Sequence, residues 1–203
     1  MGVLRSLFGP SKEEVWGQLA EQLRGQVTKG GFFGRSKVVV KTDNWILTLD
    51  TYTVSTGKSS ATYTRMRAPY VNADNFQFTI YPEGFFSPLG RALSLQDIVI
   101  GDPQFDERFV IKGNDEARVR SFFNDDGLRA LLYAQSNLFL QVKDDEGWFA
   151  SSFPKGVDEL YFERVGVMKD LAELRALFDL FSYCLHRLCH LGSAYENDPG
   201  ITL

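Results

Sequence analysis

At 203 residues, with 44% hydrophobic and 24% charged side chains, the chain is long enough to bury a sizeable core and has the make-up of an ordinary globular domain. No stretch approaches ~18 consecutive apolar residues, and the start lacks the apolar core of a signal peptide; the expectation is a soluble, cytoplasmic protein. The net charge of −4 conceals an asymmetry, with 11 basic and 8 acidic residues in 1–100 against 11 and 18 in 101–203. Arg24, Lys29, Arg35, Lys37 and Lys41 occupy a segment with no acid between Glu21 and Asp43. Five such charges make a mild basic patch, short of the strongly basic domain that general nucleic-acid binding requires, and no nucleic-acid partner is predicted.

In chain order, Ser11-Lys12-Glu13-Glu14 has the form of a capping box. Val15, Trp16, Leu19, Ala20, Leu23 and Val27 follow at helical spacing, and Gly30-Gly31 is expected to end that helix. From Arg35 the period changes to two. Lys37–Thr42, Asn44–Val54, Ser60–Ala68 and Phe76–Tyr81 read as strands, with turn residues at Asp43-Asn44 and at 55–58 that predict antiparallel hairpins. Gly84–Arg91 is a loop. Ile98–Ile100 and Glu107–Lys112 read as strands, Asn114-Asp115 and Asp125-Asp126 open two short helices, and Asn137–Lys143, Trp148–Ser152 and Leu160–Val165 complete the strands. The long final helix begins near Met168: Leu171, Leu174, Phe178, Phe181, Leu185 and Leu188 recur at steps of 3, 4, 3, 4 and 3 and line one face.

Strand-dominated order with segregated helices predicts a single α+β domain over 1–203, with a sub-domain boundary near 82–92. Its mostly antiparallel sheet is drawn as curved or barrel-like and sealed by the terminal helix, similar in outline to pleckstrin-homology-like modules. The 17 phenylalanines suit half-buried strands, where flat side chains pack on a pleated surface.

Phe105-Asp106-Glu107-Arg108-Phe109-Val110-Ile111, followed by Asn114-Asp115-Glu116-Ala117-Arg118, resembles a pattern in a family of uncharacterised bacterial proteins. There an FE-x-x-F-x-V strand leads to an Asp, an Ala-Arg pair, a short helix, a hairpin and a terminal amphipathic helix. The order matches over the second half of the chain, with Asp106 in place of the Glu and Ile111 in place of the Val. The resemblance implies a bacterial source and a fold neighbourhood, and no activity.

Catalytic signatures are lacking. Cys184, His186, Cys189 and His190 have the residue types of a metal site, but one straight helix cannot turn all four toward one ion, and no metal ligand or cofactor is assigned. The two cysteines, five residues apart, diverge by about 140° on the helix, so an intrahelical bridge is excluded and free thiols point to a reducing compartment. Gly30–Arg35 and Gly84-Phe85-Phe86 share a Gly-Phe-Phe theme without phosphate-loop spacing. Arg65 and Arg67 lie two apart on one strand and share a face, where Lys37 or Lys41 on a neighbouring strand could complete an anion-binding surface; the favoured expectation is a solvated outer face with Tyr63 packed alongside. The interaction patch drawn from these features is Lys29, Phe32, Phe33, Arg35, Arg65, Arg67, Phe85 and Phe86. The leading expectation is a non-catalytic domain that binds a protein partner or itself. The alternatives are a peripheral membrane-surface domain using Leu4, Phe8, Lys29, Phe32, Phe33 and Arg35, and an enzyme of unrecognised class.

Overall fold

The computed structural model describes residues 9–28, 36–55, 57–84, 96–144, 153–201 and 203. Ser11 opens the first element as its motif predicts. Its hydroxyl accepts from the Glu14 amide at 3.2 Å and its own amide donates to the Glu14 carboxylate at 3.0 Å. Helix α1 (Lys12–Gln22) follows. It stops well before Gly30, because Arg24 takes a positive φ and the chain reverses into strand β1 (Gln26–Thr28). Gly25 permits the reversal: a Cβ there would lie 2.7 Å from the Val39 carbonyl oxygen. Val27, expected on the helix, is therefore a strand residue at the surface.

Strands β2 (Lys37–Thr42), β3 (Trp45–Ser55) and β4 (Ser60–Asn72) form the two predicted hairpins, with Val38 opposite Leu49 and Tyr52 opposite Tyr63. β4 runs past its expected end at Ala68 and through Pro69. The bond from the Gly166 N–H to the Thr62 carbonyl shows that even-numbered β4 residues turn their backbone toward the side later filled by another strand. Pro69 thus aims its missing N–H at the β3 side, where pairing has already ended at Thr48–Arg67. β5 (Phe78–Pro82) and the two-residue β6 (Gln96–Asp97) come next.

Asp102-Pro103 then starts a helix, α2 (Pro103–Arg108), whose last two residues were expected to open a strand. Asp102 accepts from the Gln104 and Phe105 amides and Pro103 pre-sets the first helical φ. The strand, β7 (Phe109–Gly113), begins only at Phe109. Helices α3 (Glu116–Phe123) and α4 (Asp126–Tyr133) are capped by Asp115 and Asp125 as expected. β8 (Phe139–Lys143), β9 (Val157–Val165), the long α5 (Leu171–His190) and the short β10 (Ala194–Tyr195) finish the chain. The predicted strand at Trp148–Ser152 lies outside the described residues.

The architecture is α+β. One antiparallel sheet runs in the order β1-β2-β3-β4-β9-β8-β5-β7-β6, with β10 against β4. The sheet is open: among the described residues its end strands, β1 and β6, are not paired with each other. β5 pairs with β7 and β8 across the position where a sub-domain boundary was expected. One buried cluster extends from Val15 to Ala194.

One sheet face carries Val38, Leu47, Leu49, Met66, Ala68, Ile80, Leu140, Leu160 and Phe162, all buried. The α5 stripe (Leu174, Leu177, Phe178, Phe181, Leu185, Leu188) is buried in the same cluster. Trp16 joins α1 to the segment before α5 by donating its indole N–H to the Met168 carbonyl at 3.0 Å. Many phenylalanines gather in one place instead of being spread along the strands. Phe78 contacts Phe122 and Phe123 at 4.8 and 5.1 Å between ring centroids, and Phe105 contacts Phe109 at 4.9 Å. These rings join β5, β7, α2 and α3 in tilted and edge-to-face pairs.

Candidate interaction surface

Strand alternation sends a second set of side chains to the opposite face of the sheet. Across β3, β4, β9, β8 and β5, the register aligns Thr48, Arg67, Tyr161, Gln141 and Thr79 in one row, and Asp50, Arg65, Glu163 and Phe139 in the next. A face of this composition is expected to be solvated. It is not: Arg67 is 5% exposed, Glu163 4% and Glu159 0%. The outer-face reading of Arg65 and Arg67 is corrected accordingly.

Both arginines converge on Asp50. Arg65 forms a two-pronged bond with Nε and Nη2 at 2.7 and 2.9 Å, and Arg67 Nη2 reaches Oδ2 at 2.9 Å. Lys37 and Lys41 do not join them. Strand β3 lies between β2 and β4, so the lysines stand two strands away, about 10 Å in the sheet direction. The cations on β4 therefore anchor a carboxylate of the chain itself.

Glu163 carries the neighbouring cluster, accepting from the Tyr52 hydroxyl at 2.5 Å and from Tyr161 at 2.7 Å. Lys143 pairs with Glu159 at 2.9 Å and sits 3.8 Å above the Tyr161 ring. Arg65, Arg67 and Lys143 thus balance Asp50, Glu159 and Glu163. Burial, followed by the Glu163 carboxylate, pushes both the Tyr52 and Tyr161 phenols far above the ordinary range. A tyrosine poised as a base or nucleophile needs the opposite shift. Chemically, this cluster is suited to holding neighbouring strands in register through satisfied buried bonds.

Toward the end of the β3–β4 hairpin the same face changes character. Tyr52 and Tyr63 stack at 5.1 Å with 14° between their planes, and the Arg65 guanidinium lies 5.2 Å from the Tyr52 ring centre. Val54, opposite Ala61, is 45% exposed. After β9, Gly166 takes φ +90° and bridges to Tyr63, and the residues flanking it, Val165 and Val167, are 60% and 39% exposed. Thr64 fixes this crossing by donating its hydroxyl to the Gly166 carbonyl at 2.8 Å and accepting from the Met168 amide at 2.9 Å. The result is an exposed platform of stacked tyrosines and valines on a rigid, hydrogen-bonded base.

A second feature is an open groove of about 570 Å³ between α4 and α5, lined by Asp125, Leu131, Asp179, Tyr183, His186 and His190 among others. Three of the polar groups that line it, Asp125, Arg187 and His186, are already engaged within the chain. Asp125 caps α4 through the Leu128 amide, which above all holds its carboxyl below the usual range, and it also accepts from Tyr183 at 2.7 Å. Arg187 bonds the Ser121 and Phe122 carbonyls. His186 pairs with Asp43 at 3.0 Å and meets Trp45 edge-on. Cys184 is buried in the apolar stripe and Cys189 half-buried, its thiol pushed up to about 11 by burial.

Of the patch predicted from sequence, Lys29, Phe32, Phe33, Arg35, Phe85 and Phe86 lie outside the described residues, as do Leu4 and Phe8. Arg65 borders the platform, whereas Arg67 is buried in the polar cluster. Tyr52, Val54, Tyr63 and Val165 were not assigned to that patch, Tyr63 being named only as packed alongside the two arginines. Ser55 pairs with Ser60, so the register is centred one position beyond the predicted turn at 55–58; that turn sets Tyr52 opposite Ala61 and held only the signal that Tyr52, Val54 and Tyr63 share a face. Val165 had none, since it joins them only through the fold. No protein-family model, curated protein or solved structure matches this chain.

Proposed function

We propose that this protein is a non-catalytic interaction module that docks a partner on the Tyr52–Tyr63 platform. The observation that supports this reading is the exposure of Val54 and Val165 beside two stacked tyrosines and an arginine. Tyrosine and arginine are the residue types that concentrate binding energy at interfaces, and exposed aliphatic side chains beside them supply apolar area to bury. The buried titratable groups next to the platform are bonded to one another, Asp50 by two arginines and Glu163 by two tyrosines, which fits a scaffold that presents a surface more closely than a site that transfers protons.

The test is a peptide-display selection on the immobilised full chain, run in parallel on a Val54→Asp/Val165→Asp variant. Both positions are exposed, so the variant is expected to keep its circular dichroism spectrum and its melting temperature to within a few degrees. The wild-type chain is expected to enrich a sequence class that the variant does not. Equal enrichment by the two proteins, or none by the wild type, overturns the proposal.

A further inference from the structure

We infer that this protein self-associates edge to edge, a second copy pairing with the free edge of β3 at Thr53–Ser55. The inference concerns the strand edge beside the platform and holds whether or not the platform docks a partner. Gly166, on the β9 side, donates to the Thr62 carbonyl, and Thr53 lies opposite Thr62. That register turns the backbone groups of Thr53 and Ser55 away from β4. β2 covers this edge of β3 only as far as Leu49, opposite Val38. Among the described residues no strand lies across Thr53 and Ser55, and Thr53, Val54 and Ser55 are all exposed.

Edges of this kind are usually blunted by a charge, a proline or a bulge, because bare ladder groups pair with other strands. None of these is present here. Thr51-Tyr52-Thr53-Val54-Ser55 holds no charge, proline or glycine, and its register with β4 runs unbroken from Thr48 to Ser55. Lys58, in the turn, is the one charge between Asp50 and Arg65. The segment is also complementary to itself. A two-fold axis at Val54 sets Thr53 opposite Ser55 of the second copy, and Ser55 opposite its Thr53, each pair exchanging both N–H···O bonds. Val54 then meets its own counterpart at the closer, non-hydrogen-bonded spacing of about 4.5 Å between Cα atoms. That contact covers a valine which the fold leaves 45% exposed. So short an edge falls well below the roughly 1,000 Å² of a lasting interface, so the pairing is reversible, with Kd in the range of roughly 0.1–1 mM.

The experiment follows the full chain by light scattering and by amide–water exchange in NMR, from about 20 μM to about 1 mM. The mean mass is expected to rise toward that of a dimer. The Thr53 and Ser55 amides are expected to exchange about two- to fivefold more slowly at the higher concentration, while that of Val54, paired within the hairpin with Ala61, stays unchanged. Val54→Cys is expected to form an intermolecular disulfide under diamide at least about tenfold faster than Val165→Cys. Val165 is the more exposed of the two, but it lies two strands in from the edge and off the axis. A wild-type chain that stays monomeric at about 1 mM overturns the inference. So does a dimer in which Val54→Cys links no faster than Val165→Cys, because the contact then lies elsewhere. Slowed exchange of Thr53 and Ser55 that appears only when a display-selected peptide is added to a monomer overturns the second copy in favour of a different strand. The display selection remains the separate test of the platform.

Discussion

Glu163 is the most consequential side chain on the buried polar face, and removing it tests whether that face is a satisfied network. Glu163→Ala deletes two charge-assisted hydrogen bonds at once. Tyr161, 6% exposed, has no access to replacement water, so its orphaned hydroxyl costs about 2 kcal/mol; half-buried Tyr52 can turn toward solvent and costs about 1 kcal/mol. The expected loss is about 3 kcal/mol, which for a chain of this length lowers the melting temperature by roughly 6–12 °C. Glu163→Gln keeps an acceptor oxygen and is expected to lose about half as much. Urea denaturation followed by far-ultraviolet circular dichroism measures both. Tyr161→Phe completes a double-mutant cycle: the pair is expected to fall short of additivity by about 1 kcal/mol, because the second change removes a group already orphaned by the first. A Glu163→Ala variant within about 0.5 kcal/mol of wild type, or strict additivity with Tyr161→Phe, refutes the network.

Alkaline pH probes the same region from the other side. Burial raises the Tyr52, Tyr70 and Tyr161 phenols above the free value of 10.0, so the unfolded chain releases these protons first. Stability is expected to hold below pH 10 and to fall as pH rises beyond it, with a shallower fall in Tyr161→Phe, read from urea midpoints between pH 8 and 11. Gly113→Ala places a Cβ 2.4 Å from Val119 Cγ2 and 3.2 Å from the Gln77 carbonyl. It is expected to destabilise by about 2 kcal/mol, and Val119→Ala in the same background is expected to recover part of that loss, measured by thermal melts. Burial keeps Cys184 and Cys189 protonated well above neutrality, so neither thiol is expected to react quickly with a disulfide reagent at pH 8 until denaturant is added; rapid labelling of the native chain contradicts their placement.

How much of this was legible in the sequence follows from the range of the interactions involved. The Ser11 box, the Asp115 and Asp125 caps, the two leading hairpins and the α5 stripe all depend on residues within a few positions of one another, so pattern and spacing specify them. The same local rule was available at Asp102-Pro103 and was not applied, so α2 went unread and its last two residues were assigned to the strand that follows. The candidate site was less legible. Arg65 and Arg67 were placed correctly on one face, but their shared partner Asp50 depends on the β3–β4 register, and the separation from Lys37 and Lys41 depends on the strand order.

The sequence by itself determined most of the helix and strand segments and which of their side chains share a face, because those properties repeat with the period of the backbone. Only the tertiary structure decided which faces are covered. In β9, Val157 to Glu163 are all buried although polar and apolar residues alternate from Glu159, since both sides of the central sheet are enclosed and alternation then carries no information about exposure. The insertion of β8 between β9 and β5, and the bridge from Gly166 to Tyr63, are likewise long-range outcomes. They follow from how the whole chain buries its apolar surface while pairing its charges, a condition that no short window of residues can express.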